Sequence, residues 1–453
     1  MEKTLHVVHC IDTEGPLNET LEATFERLKH IYHIELEPSE ETLKKLQNGE
    51  MKLNNGKEDS IKSTLNPHLL NYKNSWKLID DLFNNSLSKK FRDQFKDSYG
   101  NGWIYNWHCV DHVDYEYNPR GREIGYHKIY DYVSKKLKET DSKEDGLHFH
   151  YHPHPMIKHA HLCATRWLGP TDKLFQVLSR RVIDRNWFPA VNRPGFQVTR
   201  PDSHWFLEQF IPFDYASLSF EEETHTDQFD LTAGRSGDWR RAPLTWVPYH
   251  PSHEDYQVPG NCNRWISRCL NIGTRFANIN LLEVERAFKE VEEGKNVILS
   301  FADHDFRDFR KDVEEAYNLL TTVQKKYPDI KFKYSEGAKA MREALNLKKD
   351  NHCNLKIQLN KIDERAFVLD VESDKDIFGP QPYLSIKSKK GEYFHDNFDF
   401  QIPKRKWTYT FDEETLPVEL VEKIGVAANN SIGQTSVEVY DVLSGKVTST
   451  KHN

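Results

Sequence analysis

The chain has 453 residues, 37% hydrophobic and 29% charged, with 62 Lys+Arg against 70 Asp+Glu and a formal net charge of −8. Its length suits about two or three domains, and no apolar run is long enough for a membrane-spanning helix. The acidic balance argues against a nucleic-acid partner, because neutralising phosphates takes a basic face.

The first residues, MEKTLHVVHCIDTEG, have no basic segment leading into an apolar one. This predicts no secretory signal and a cytoplasmic protein. The six cysteines are scattered without a C-x-x-C and suit reduced thiols. Residues 4–11 form a short apolar run ending at acids, as a buried parallel strand does. Residues 18–32 have helical spacing through Leu21, Phe25, Leu28 and Ile31, and residues 35–100 read as a polar insertion over one barrel end. Beyond it, strand-like runs (102–113, 146–151, 296–301, 330–334) alternate with helix-like ones (126–137, 173–183, 205–210, 281–293, 309–325, 336–345). Such alternation implies a parallel sheet or barrel with helices outside. After residue 349 short β-rich runs between turn formers predict a small antiparallel β-sandwich. The expected division is therefore a barrel over 1–348 and an accessory domain over 349–453, with the barrel able to fold alone.

Four groups of residues carry chemistry. Asp12 and Glu14 stand two apart at the end of the first strand, so they share a face at the end where βα proteins place their sites. A loop start and a backbone cap would account for them equally. His148, His150, His152 and His154 alternate through GLHFHYHPHP, and like-facing imidazoles suit a metal ion. A surface histidine tract is the plain alternative. His304 leaves an apolar strand between Asp303 and Asp305. Carboxylates so placed fix a tautomer and raise a pKa, although a helix N-terminus also fits. Arg193 precedes Pro194-Gly195 on a turn and suits the holding of a carboxylate; Pro212-Phe213-Asp214-Tyr215 follows at a distance. Trp107, Trp246, Tyr249 and His250 would line a sugar cleft, or serve as core.

In this order (acid pair, histidine cluster, Arg-Pro, late histidine) the sequence resembles the polysaccharide deacetylase family. The resemblance covers roughly residues 4–15 and 100–310. It implies a distorted (β/α)7-type barrel and metal-dependent removal of acetyl groups from N-acetylated sugars or surface-polysaccharide precursors. It implies Asp12 as base, Arg193 as its support and His304 as acid. Glu14, His148 and His152 would be the ligands of one divalent ion, most simply Zn2+. The frame His150 and His154 fits the same H-x-x-x-H-Pro pattern. Trp107, Asp214 and Tyr249 are the expected substrate contacts. The pair Asp12-x-Glu14 departs from the adjacent aspartates common in the family, and Asp238-Trp239 is only a loose counterpart of a further motif. Two other functions suit the same residues. One is hydrolysis of another non-peptide C–N bond; the other is carbohydrate binding without catalysis.

Overall fold

The computed structural model describes residues 3–53, 56–169, 172–221, 237–348 and 350–452. Eight parallel strands are β1 (Thr4–Thr13), β2 (Tyr105–Cys109), β3 (Gly146–Tyr151), β4 (Val191–Pro194), β5 (Phe213–Ser217), β6 (Trp265–Asn271), β7 (Ile298–His304) and β8 (Lys331–Tyr334). β1 to β7 follow one another around a ring that closes when β7 pairs with β1. The long β1 serves two neighbours on its other edge: His9 to Thr13 pair with β2, and Thr4 to Val7 pair with β8.

Alternation along each strand separates an inside from an outside. Inside, Val8, Cys10, Val191, Phe213, Tyr215, Cys269, Ile298 and Ala302 form one apolar cluster with Ala338, Ala340 and Met341 of the helix Gly337–Ala344. That helix closes the end of the barrel where the strands begin. Outside, Val7, Ile11, Trp107, Leu299 and Phe301 pack under the flanking helices. Both faces are apolar, which is why the strands read as continuous hydrophobic runs.

The 35–100 segment is not simply polar. Its helices Glu40–Asn48 and Glu58–Thr64 join Leu21–Tyr32 in a separate core of Phe25, Leu28, Ile31, Tyr32, Leu46, Ile61 and Leu65. The helix Trp76–Ser86 sends Ile79, Leu82 and Phe83 into the outer core of the barrel. The apolar residues are too widely spaced among Lys, Asn and Glu for composition to reveal them. The segment reaches the barrel mouth through Leu17 N–H donating to Lys73 O at 3.1 Å and Lys73 N–H to Phe306 O at 2.8 Å.

Residues 355–452 form two antiparallel sheets: β9 (Leu355–Lys361), β10 (Phe367–Ser373), β13 (Asp399–Ile402) and β14 (Lys406–Phe411) in one, and β11 (Tyr383–Ser388), β12 (Tyr393–Asp396), β15 (Val421–Asn429), β16 (Thr435–Asp441) and β17 (Lys446–His452) in the other. Leu369, Val371, Trp407 and Phe411 meet Leu384, Ile386, Ile424 and Val426 in a common core between them. The opposite face of the second sheet is also buried. Tyr383, Ala427, Val437 and Val439 belong to the outer core of the barrel, against the helix Lys173–Arg185. Among the described residues no helix is long and apolar enough to cross a membrane.

Candidate metal centre

Strand register brings the site together at the end of the barrel where the strands finish. Asp12 of β1 lies opposite His304 of β7 and His108 of β2. His108 lies opposite His148, and two residues further along β3 His150 lies opposite Arg193 of β4. Glu14 follows β1 directly. Its N–H and that of Gly15 donate to the two oxygens of Asp305 at 2.8 and 2.9 Å, which fixes the turn. Gly15 has φ +74°, and a Cβ there would come within 2.7 Å of Ile129.

Glu14, His150 and His152 converge, with one ligand atom from each lying within 4.8 Å of the others. His150 Nε2 is 3.0 Å from His152 Nε2, which is 3.4 Å from Glu14 Oε1. His150 Nδ1 lies 2.7 Å from the carbonyl of Arg193. A carbonyl only accepts, so Nδ1 holds the proton and Nε2 presents a lone pair, the arrangement of a metal-ligating histidine. Burial lowers the His150 pKa to about 4, so the ring is neutral at pH 7. Burial alone would raise the Glu14 carboxyl, but Arg122 and His152 outweigh it and hold it well below the usual range. One carboxylate and two imidazoles could hold a metal ion with positions left open. Gly195 makes this packing possible, since a Cβ there would stand 2.3 Å from His152 Cδ2.

Asp12 sits beside this group. Arg193 Nε donates to its Oδ1 at 2.7 Å, and His304 Nε2 is 3.9 Å from its Oδ2 and 4.0 Å from Glu14 Oε1. Burial works to raise the Asp12 carboxyl, yet the charge and hydrogen bond of Arg193, first among its neighbours, leave it lowered and ionised. Arg193 is itself fixed by donating from Nη1 to Tyr215 O at 3.1 Å. The following loop carries Phe196 and Gln197 at φ +53° and +52°, a left-handed conformation that bulky side chains rarely adopt. It leaves the Phe196 ring 5.3 Å from that of His152.

The expectation that flanking carboxylates raise His304 is corrected. Burial lowers it to about 4 and outweighs Asp12 and Glu14. Its chain neighbours also turn away from it. Asp303 lies 3.1 Å from His9, and Asp305 serves the Glu14 turn.

The structure brings together Asp12, Glu14, His150, His152, Arg193 and His304, and leaves the other expected residues elsewhere. His148 faces inward but one layer deeper, with Nε2 3.0 Å from Asn106 Oδ1 and 3.2 Å from Glu336 Oε1 near the closed end. Residues four apart on a strand span about 13 Å, too far for one ion, whereas residues two apart span about 6.5 Å on one face. Each H-x-x-x-H frame therefore gives the centre only one histidine. His154 lies past the strand, stacked on Tyr115 at 5.1 Å, with Nε2 3.2 Å from Val113 O. Trp107 stands between inward-facing Asn106 and His108, so it points out; it packs 4.5 Å from Phe83 and donates to Asp145 at 3.0 Å. Asp214 likewise stands between inward Phe213 and Tyr215, and it accepts from Asn192 at 2.9 Å. Tyr249 donates to Tyr256 O at 2.8 Å. Asp238-Trp239 is outside the ligand group and supports the loop beside it, the indole donating to Gln197 O at 2.9 Å.

Sequence reading missed Arg122, which donates to Glu14 Oε2, and gave Asp305 to His304 although it holds the Glu14 turn. The run Arg120-Gly121-Arg122, soon after a strand, was the available signal. Against protein-family models, curated proteins and solved structures, the chain gives no match.

Proposed function

We propose that this chain is a metal-dependent hydrolase that removes the acetyl group from an N-acetylated sugar or surface-polysaccharide precursor, on a barrel of the deacetylase type. The observation that carries this reading is the placing of an ionised, arginine-held Asp12 and a neutral His304 around the Glu14–His150–His152 group. A site that only bound an ion would need neither. Zn2+ suits a donor set of two imidazoles and a carboxylate. When bound, the ion supplies Lewis acidity, polarising the acetyl carbonyl and acidifying water.

The residues divide the remaining work. Asp12 is ionised at neutral pH and accepts the proton of the attacking water. Arg193 keeps its carboxylate in place through the 2.7 Å bond to Oδ1, which leaves Oδ2 toward His304. His304 enters neutral, its Nε2 3.9 Å from Asp12 Oδ2, receives that proton through one bridging water and delivers it to the leaving nitrogen. Acetate and a free amine result. Arg122 and the Asp305-held turn keep Glu14 ionised and aimed.

Acetate release from N-acetylated sugars, with and without a chelator, tests this reading. Release should stop on chelation and return with added zinc. Release indifferent to chelation would rule out the metal mechanism.

A further inference from the structure

The cleft over the candidate centre is lined by five arginines, Arg27, Arg120, Arg122, Arg275 and Arg307. Among the described residues that line it, the acids are Asp12 and Glu14. Arg193 already matches Asp12, and Arg122 matches Glu14. Arg27 and Arg120 share one carboxylate, Glu19, at 2.7 and 3.3 Å. Burial and the nearness of Arg27 lower the pKa of Arg120 to about 10, as expected where cations crowd.

Arg307 is the sharpest case. Its Nε and Nη1 are buried without a hydrogen-bond partner among the described residues. Its guanidinium lies 5.3 Å from the Phe306 ring centre and 5.9 Å from that of Tyr72. Stacking orients a guanidinium but satisfies none of its N–H groups, and a buried donor left unpaired is costly. A divalent ion would add further positive charge to the same cleft. A neutral sugar would leave this field unanswered. Planar donor forks of this kind match the oxygens of phosphate or carboxylate.

Resting on the deacetylase reading, we propose that the substrate carries an oxyanion, a phosphoryl or carboxylate group, and that Arg307, with Arg120 nearby, receives it beside the acetyl-binding position. The substrate class is then a phosphorylated or acidic N-acetylated sugar. The arginines serve binding and orientation, and the reaction at Asp12 is unchanged.

Calorimetric titration of inorganic phosphate and of glucuronate into the zinc-loaded protein, and into the protein stripped of metal, tests this. Binding of at least one ligand should weaken about tenfold or more in Arg307→Ala, the scale of a lost charge-assisted bond. Arg307→Lys, which keeps charge and bulk, should recover part of it. Preference for phosphate would assign a phosphosugar, and preference for glucuronate an acidic sugar; either upholds the proposal. If the wild type binds neither ligand, or the variants bind as well as the wild type with equal metal content and melting temperature, the proposal falls. Should Arg307→Ala misfold, Arg307→Lys and Arg307→Gln carry the comparison. The two readings fail separately: Arg307-dependent anion binding without acetate release would retain the oxyanion site and remove the deacetylase.

Discussion

Asp12 and Glu14 are two residues apart, equally buried and both ionised, yet their surroundings assign them different work. Arg122 and His152 face Glu14, and the backbone around Glu14 is pinned by Asp305. Arg193 holds one oxygen of Asp12 and leaves the other toward His304. Asp12→Asn should therefore keep the ion and lose about 10²- to 10⁴-fold in turnover, the usual range for a general base. Metal content and turnover measured on one preparation check this. Loss of the ion with turnover would make Asp12 a ligand instead.

At the scale of elements, the βα alternation and the acid pair at the end of the first strand were readable because both depend on local periodicity. The histidine set was not. Histidines at 148, 150 and 152 are equivalent in any local reading, and only the pairing of β3 with β2 and β4 decides which reach the mouth. Trp107 shows the same limit: a shift of one residue sends it from the cleft to the outer core. The expectation of a barrel that folds alone meets a further tertiary fact. Along β15, Ile424 and Val426 enter the core between the sheets, while Ala427 turns to the barrel. Gly425 comes so close that a Cβ would lie 2.6 Å from Val182. Asn429 Nδ2 donates to Pro189 O at 2.7 Å and Phe210 O at 2.8 Å. Removing residues 350–453 would uncover Val182, Phe188 and Phe210, each contributing about 1.5–3 kcal/mol when buried. The truncated chain should aggregate or melt well below the full chain. An unchanged melting temperature would show that the barrel core is complete without the sheets.

Across the whole molecule, buried neutral histidines make stability sensitive to acid. His6 is lowered by burial from 6.5 to about 4, and His9 from 6.5 to about 3. His9 accepts the Trp103 indole N–H at Nδ1, so Nε2 keeps its proton toward Asp303. In both cases the unfolded chain binds a proton first as pH falls. Their contribution is complete above pH 6.5 and declines toward pH 4, at up to about 1.4 kcal/mol per pH unit for each. Melting temperatures between pH 7 and 4.5 should fall on the acid side; a flat profile would contradict this.

The account rests most directly on the ligand set. Elemental analysis of the purified wild type, of the His150→Ala/His152→Ala variant and of His148→Ala tests it. The account predicts one ion per chain in the wild type, retained in His148→Ala and lost from the double variant. A wild type that takes up no ion when supplied with zinc, or an ion lost from His148→Ala and kept by the double variant, would contradict it.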